Sequence, residues 1–341
     1  MSLDNPRSIL FDHVRIAVSF YCNLHCEHCY VPEEYGDQYR RLVEPSQLSI
    51  AEITNFLELL VEKYFLRKIT IAGGEPLLKA VFPRSAALIL YANRRGLDVQ
   101  LNTLGLGQVA IRDVASIFDD REKLMFQFSF DGAKRETVDR FRGKAGVYKS
   151  ALRQMAEAVN CGALVRARMT ANRHNIGEAL DAYRLLSSIG VDSFEVRPMF
   201  VSGIAIDNED ALLGSADEIR ELQEALIAMA AHTSTRLELP PPIFSDTAER
   251  RPNVKYIGCN CGVASGYLSS NGDLYPCFYV VGDPDRHRFR VGNIRSPGSD
   301  LETAWRTSSA LKNYRANSGC TQCPTQVALL RNVDRRALAC A

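Results

Sequence analysis

Long apolar runs are missing from this 341-residue sequence, and so is a strong excess of either charge. No stretch approaches the ~20 apolar residues that a membrane-spanning helix needs. The N-terminal segment lacks the basic stretch, the apolar core and the cleavage site of a secretory signal. The net charge is +1 without long basic or acidic runs, which disfavours a broad surface for nucleic acid or membranes. We therefore expect a cytoplasmic protein without membrane or nucleic-acid partners.

Disulfides are not expected either, because cytosolic thiols stay reduced. Ten cysteines in such a protein favour metal binding. Three of them lie within residues 22–29, six lie within 259–340, and Cys161 stands alone between the two groups. We interpret Cys161 as structural and the two groups as metal sites.

Strand-like and helix-like segments alternate up to about residue 200. The predicted strands cover 14–20, 68–72, 98–102, 125–130, 164–170 and 193–197. The predicted helices between them cover 50–64, 83–95, 109–118, 147–161 and 176–189. This alternation predicts an α/β fold with a parallel sheet and right-handed crossovers. Six units are too few for a closed eight-fold barrel, so we expect a partial (β/α)6 TIM-like barrel with its site at the carboxyl ends of the strands.

Three regions are predicted along the chain. Residues 1–200 form the barrel. Residues 201–257 form a linker that contains one helix near 217–231 and the proline-rich stretch 239–242. Residues 258–341 form a smaller domain of short strands, turns and cysteines.

The first cysteine group, Cys22, Cys26 and Cys29, follows directly after the first predicted strand. Three thiolates at the spacing C-x3-C-x2-C can hold three irons of a [4Fe–4S] cluster and leave the fourth iron open to another ligand. His25 and His28 leave a zinc site with mixed ligands as an alternative. Three cysteines without a metal are the remaining interpretation.

With the sequence Gly-Gly-Glu-Pro at 73–76, this group resembles the signature of the radical S-adenosylmethionine (SAM) superfamily. The resemblance implies that the open iron is chelated by SAM, whose reductive cleavage gives a 5′-deoxyadenosyl radical that abstracts a substrate hydrogen atom. The segments 101–105, 128–132 and 140–143 resemble further family motifs at the third and fourth strands. The resemblance implies that eight residues contact or organise SAM: Gly73, Gly74, Glu75, Pro76, Thr103, Ser129, Arg142 and His28. Arg168, on a later strand, is a further candidate for SAM binding. Glu75 is expected to pair with the ammonium group of SAM.

Two later strands carry charged residues, although strands of parallel sheets are normally apolar. Alternation places Arg166 and Arg168 on one face of the fifth strand, and Glu195 and Arg197 on one face of the sixth. These residues either contact substrate or SAM in the barrel cavity or form buried ion pairs that only hold the barrel. Glu195 is the candidate catalytic residue among them.

The second cysteine group includes Cys261, Cys277, Cys320 and Cys323, which could complete one four-thiolate site for zinc or iron–sulfur. The spacing C-x9–15-G-x4-C after such a barrel resembles the SPASM/twitch extension, which implies an auxiliary [4Fe–4S] cluster. Cys259 and Cys340 are left without a place in that site. Cys259 could replace Cys261 as a ligand, and either thiol could donate a hydrogen atom to a substrate radical, so both are candidate catalytic residues. The alternative is that both are ordinary cysteines.

The substrate is predicted on weaker grounds. Barely a dozen residues precede the first strand, whereas peptide-modifying members of the family usually carry an N-terminal recognition domain. We therefore expect a small molecule such as a sugar, aminocyclitol or nucleoside in antibiotic biosynthesis, changed by dehydrogenation, epimerisation, dehydration or decarboxylation. A peptide maturase and a non-catalytic iron–sulfur or zinc protein are the alternatives. A flavodoxin or ferredoxin is the expected reducing partner.

Overall fold

The computed structural model describes residues 11–32, 46–106, 108–240, 251–296, 301–309 and 311–312. Within these residues, eleven strands form one sheet. Six of them correspond to the predicted strands and lie side by side in chain order, each parallel to the next. They are β1 (His13–Ser19), β2 (Lys68–Gly73), β3 (Asp98–Thr103), β4 (Leu124–Ser129), β5 (Leu164–Ala171) and β6 (Ser193–Pro198). The predicted α/β fold with a parallel sheet is confirmed.

Helices connect the successive strands. They are α1 (Ile50–Tyr64), α2 (Phe82–Arg94), α3 (Ile111–Ala115), α4 (Arg135–Phe141), α5 (Val147–Asn160), α6 (Ala179–Ile189), α7 (Glu209–Leu212), α8 (Ala216–Ala230) and α9 (Leu301–Thr307). Helix α1 begins with a capping box, in which the Ser49 and Glu52 side chains each accept from the other residue's backbone N–H. None of the helices in the described ranges is long and apolar enough to cross a membrane.

The two faces of the parallel strands differ in chemistry. Val14, Ile16 and Ile71 belong to the face that packs into the main hydrophobic core with the helices. The opposite face carries most of the charged strand residues. Burial, followed by the charges of Arg166 and Arg15, lowers the pKa of Lys68 on β2 to about 8. Because Arg166 lies on β5, three strands away, the polar face is concave, and we call it the lumen.

The region predicted as a linker, 201–257, contributes more than its helix α8. Strands β7 (Arg236–Leu239) and β8 (Val254–Tyr256) extend the sheet beyond β6 in parallel. They have four and three residues, too few for a periodic sequence signal. At the other edge, β9 (Ser265–Leu268) pairs in parallel with β1 and is followed by β10 (Asp273–Tyr275) and β11 (Gly292–Asn293), each antiparallel to the strand before it. The cysteine-rich region is therefore joined to the barrel through one continuous sheet.

A small aromatic cluster holds α9 against this edge. The rings of Phe11 and Trp305 lie 4.6 Å apart between centroids, and both side chains are fully buried. A Cβ at Gly266 in β9 would lie 2.7 Å from the Phe11 ring and 3.0 Å from the Trp305 ring. A glycine is therefore needed in β9 for α9 to pack so closely.

We expect the Phe11→Ala variant to lose about 3–5 kcal/mol of unfolding free energy, because it leaves a cavity beside Trp305. Trp305 is the only tryptophan, so its fluorescence during urea unfolding measures this loss directly. Phe65→Ala is the matched control, because that side chain is 60% exposed and should change the free energy by less than about 0.5 kcal/mol. Equal losses in the two variants would contradict this packing.

Candidate active site

The first cysteine group lies in the loop after β1, at the carboxyl ends of the strands. Cys26 is buried and Cys22 and Cys29 are partly buried, and all three border an apolar cluster that includes Leu24 and Val138. Burial raises the pKa of each thiol, to about 12 for Cys29, and each of Cys22 and Cys29 is raised further by the charge of Cys26. Thiols that influence one another in this way lie close together. Their donor chemistry fits an iron–sulfur cluster.

Backbone hydrogen bonds from two other segments fix this loop. The Glu27 N–H donates to the Phe141 carbonyl at 3.1 Å, and the Ile204 N–H donates to the Cys29 carbonyl at 2.8 Å. The Asn208 side-chain amide donates to the Glu27 carbonyl at 2.9 Å. The cysteine positions therefore depend on the chain after β4 and the chain after β6.

Arg142 links the loop to the end of β4. Its guanidinium donates two hydrogen bonds to the Asp131 carboxylate, one of them from Nε at 2.7 Å, and its Nη1 lies 3.7 Å from the Cys26 Sγ. Asp131 is fully buried and Arg142 is nearly so. The sequence predicts that Arg142 organises this turn, and the structure adds a contact with a predicted iron ligand that a sequence motif does not reveal.

His28 occupies the position for which an adenine-binding role is predicted. Its ring stacks on Phe141 at 4.3 Å with an interplanar angle of 6°. Burial and then the charges of Arg142 and Arg168 hold its pKa well below the usual value, so the ring is neutral. Its Nδ1 is buried and has no hydrogen-bond partner among the described residues. A neutral stacked ring with an unused nitrogen suits a planar ligand that can hydrogen-bond.

The Gly-Gly-Glu-Pro turn packs against the start of the cysteine loop. The Gly74 N–H donates to the Ser19 carbonyl at 2.8 Å, and the Glu75 N–H donates to the Tyr21 carbonyl at 3.0 Å. A Cβ on Gly74 would overlap the Tyr21 carbonyl. A glycine is therefore needed at position 74 for this turn to approach the backbone of the cysteine loop so closely.

The Glu75 carboxylate is fully buried and accepts hydrogen bonds from its own chain. The Thr103 hydroxyl lies 2.9 and 3.0 Å from its two oxygens, the Leu104 N–H donates at 2.7 Å, and the Leu77 N–H donates at 2.9 Å. Burial raises its pKa and these hydrogen bonds oppose the rise. Glu75 was expected to pair with an ammonium group. Its contacts within the chain tie the end of β2 to the end of β3, and the pairing with an ammonium group stays a prediction.

Ser129 and Arg168 are direct register partners on β4 and β5 and lie on the lumen face. Arg168 donates to the Tyr279 hydroxyl at 3.1 Å, and the Tyr279 ring stacks on Phe200 at 4.1 Å. The sequence analysis missed these two aromatic residues. Tyr279 follows Cys277 by two positions, but no sequence signal indicates that this segment reaches β5.

Glu195 is the buried centre of an arginine group. Its carboxylate accepts from the Arg197 Nε, and its oxygens lie 3.8 Å from Arg168 Nε and 3.7 Å from Arg166 Nη1. Burial alone would raise its pKa, but the three guanidiniums outweigh burial and lower the pKa to about 2. Glu195 therefore stays ionised at working pH, and its stabilising contribution is lost only as the pH falls through about 2. The predicted ion pairs are present, and they lie in the lumen.

Part of the second cysteine group also comes together. The thiols of Cys259 and Cys277 are hydrogen-bonded to Cys261, which holds the Cys261 pKa well below its usual value despite burial. Cys259 is exposed, whereas Cys261 and Cys277 are buried. Cys320, Cys323 and Cys340 lie outside the described residues. In the ranges that the structure describes, no three His, Cys, Asp or Glu side chains converge as ligands of a single ion would.

The two cysteine groups lie at opposite ends of β1. Cys261 forms a bridge with Ser265, which pairs with His13 at the start of β1. Cys22 follows the other end of the strand at Ser19. Seven residues at roughly 3.3 Å each separate the two ends by about 20 Å. The lumen runs between them.

Comparison with known families identifies this arrangement. The model of the Radical SAM superfamily matches residues 16–213. The chain belongs to the radical SAM superfamily. A second family model, SPASM, described as an iron–sulfur cluster-binding domain, matches residues 259–324. Membership implies a [4Fe–4S] cluster and SAM, and the SPASM region implies auxiliary iron–sulfur clusters.

Several proteins resemble this radical SAM chain over most of its length. Mycofactocin maturase MftC of Mycobacterium ulcerans (strain Agy99) is 26% identical over 312 residues, covering 90% of this chain and 77% of the relative. An AdoMet-dependent heme synthase of Oleidesulfovibrio alaskensis is 23% identical, covering 86% of this chain and 74% of that protein. Streptococcus suis SuiB bound to the precursor peptide SuiA superposes with a TM-score of 0.70 at 14% identity, over 90% of this chain and 67% of SuiB. At that identity the match supports the fold alone.

We expect Arg142→Met to lower the unfolding free energy by about 3–5 kcal/mol, because it leaves the buried Asp131 carboxylate without its cation. Arg140→Met is the matched control on the same helix–turn segment. Arg140 is 63% exposed and forms a 3.4 Å surface pair with Glu27, so its loss should cost less than about 1 kcal/mol. Urea unfolding of both variants measures the difference. Similar losses of unfolding free energy in the two variants would show that the buried Asp131 carboxylate is not stabilised by Arg142.

Cys259 can be tested as an iron ligand in a variant whose first group is removed by Cys22, Cys26 and Cys29→Ala. We expect this background to keep auxiliary iron after anaerobic reconstitution, and the further change Cys259→Ala to reduce that iron because the thiol lies beside Cys261. Iron and zinc are counted per chain, with Cys161→Ala as the control. Unchanged iron after Cys259→Ala would show that this thiol is not a ligand and leave hydrogen donation or an ordinary cysteine as its interpretation.

Proposed function

We propose that this radical SAM enzyme is a peptide maturase, which acts on a ribosomally made peptide. The observation that carries the proposal is the match with mycofactocin maturase MftC along 90% of this chain and 77% of the relative. The fold shared with a precursor-peptide-bound SuiB supports the same substrate class, within the limit that a fold sets on function. The expected small-molecule substrate from antibiotic biosynthesis finds no support among these relatives.

In the proposed reaction, SAM and the [4Fe–4S] cluster held by the first cysteine group would supply a radical that removes a hydrogen atom from the peptide. The chain's own residues position the reactants. Asp131 and Arg142 hold Cys26 in place, His28 offers a stacked ring and a free nitrogen, and Ser129 and Arg168 border the lumen at the same level. Burial of these groups keeps water away from a reactive species.

A tetrapyrrole is the second candidate substrate. It is favoured by the heme synthase that matches 86% of this chain and by the positive charge of the lumen, which suits a molecule with several carboxylates. Adding iron coproporphyrin III to the reconstituted protein and recording the Soret band separates the candidates. A saturable shift would favour the tetrapyrrole over the peptide.

We expect the anaerobically reconstituted protein to release 5′-deoxyadenosine from SAM when dithionite is added, because three thiols with an open fourth site hold the SAM-binding cluster. The Cys26→Ala variant should release none above background, while Cys161→Ala should match the unaltered protein. Product is measured by liquid chromatography and mass spectrometry. Equal release from Cys26→Ala would contradict the assignment of the first cysteine group.

A further inference from the structure

Five cationic side chains lie on the lumen face of the sheet, on strands β1, β2, β5 and β6. We call this set the cation ladder. Its members are Arg15 on β1, Lys68 on β2, Arg166 and Arg168 on β5, and Arg197 on β6. They share one face because strand side chains alternate and the registers align them.

The ladder extends along the full length of the strands. Lys68 pairs in register with His13 at the start of β1, beside the second cysteine group. Arg197 pairs with Thr170 near the carboxyl end of β5, the end where the first cysteine group lies. The side chains of Arg166, Arg168 and Arg197 are 13%, 18% and 23% exposed. Exposure therefore increases toward the SAM end, where a ligand can enter.

Carboxylates balance only part of this charge. Among the described residues, the ladder's ion-pair partners are Glu195 and Glu238. The charges of Asp12 and Asp98 also act on Arg15 and Lys68, respectively. Glu195 is shared by three ladder arginines, and Glu238 also pairs with Arg236. In the part of the chain that the structure describes, the five cations of the ladder therefore outnumber these four carboxylates, and Asp12 also acts on Arg67.

The lower part of the ladder has neutral partners. Lys68 Nζ donates to the Gln100 amide oxygen at 2.9 Å, and Arg15 Nη1 donates to the Ser265 hydroxyl at 3.3 Å. Burial and then the charges of Arg166 and Arg15 lower the pKa of Lys68 to about 8. The charges of Asp98 and Glu238 oppose this lowering, and each has a smaller effect than either arginine. A thiolate-bound cluster at Cys261 would balance Arg15, which lies at that end, but the rest of the ladder extends away from it.

We propose that the cation ladder binds a substrate that carries at least two carboxylates spaced along the lumen. This proposal deepens the proposed function and rests on it: the peptide segment that enters the barrel is acidic. Arginine and lysine both bind carboxylates through charge-assisted hydrogen bonds, and in a partly buried lumen these are stronger than at a surface. Carboxylates of a tetrapyrrole would satisfy the same ladder.

The test is a binding measurement that needs no turnover. Full-length protein is reconstituted anaerobically and saturated with SAM, so that the carboxylate of SAM is already bound. A fluorescein-labelled octapeptide in which glutamate alternates with alanine is titrated by anisotropy against the same peptide with glutamine. A phosphoserine peptide and coproporphyrin III are the further probes. The variants are Lys68→Met, Lys68→Arg and, as a charge-matched control, Arg153→Gln on the exposed side of α5.

We expect the glutamate peptide to bind at least about tenfold more tightly than the glutamine peptide, with affinity that falls as salt rises. Lys68→Met should weaken this binding about tenfold. Lys68→Arg should retain it, which separates loss of charge from loss of fold, and Arg153→Gln should have no effect. Tight binding of coproporphyrin III that Lys68→Met weakens equally would support the ladder and assign its carboxylates to a tetrapyrrole.

Three results would overturn the proposal. They are equal affinity for the glutamate and glutamine peptides, unchanged affinity in Lys68→Met, and preference for the phosphoserine peptide over both carboxylate probes. Each leaves the radical SAM assignment intact, because 5′-deoxyadenosine release is measured without any peptide. Conversely, if the protein binds the acidic peptide but releases no 5′-deoxyadenosine, the proposal for the cation ladder stands and the proposed function fails.

Discussion

Strand β1 is hydrogen-bonded along both edges, to β2 and to β9, and this double pairing determines where the chemistry lies. The register with β2 sets the Gly-Gly-Glu-Pro turn beside the cysteine loop. The register with β9 sets Cys261 beside the opposite end of β1. A shift of one residue in either pairing would exchange the lumen and core faces, burying Arg15 among apolar residues. Burial of the apolar face of β1 disfavours such a shift and therefore keeps both cysteine groups in position.

Much of this arrangement could be predicted from the sequence because it is local. The first cysteine group, the turn at 73–76 and the six barrel strands are encoded by short spacings and by strand–helix alternation. Strands β7 and β8 could not be predicted, since they are too short for periodicity and exist only because β6 offers an edge. The hydrogen bond between Glu75 and Thr103 could not be predicted either, because the two residues lie on different strands.

Two alternatives were predicted for the charged residues of the lumen: the ion pairs are present, and contact with substrate or SAM stays a prediction. Arg166, Arg168 and Arg197 do form ion pairs with Glu195, as a purely structural role requires. They also outnumber it, which a purely structural role does not require. Sequence alternation could assign these residues to one face of each strand, but it could not show that Lys68 faces them across the sheet.

The position of the second cysteine group has a consequence for the order of events in the lumen. A molecule held there has the SAM site at one end and the auxiliary site at the other. Hydrogen abstraction and electron removal can then occur from opposite sides of the same molecule, without the molecule turning over between steps.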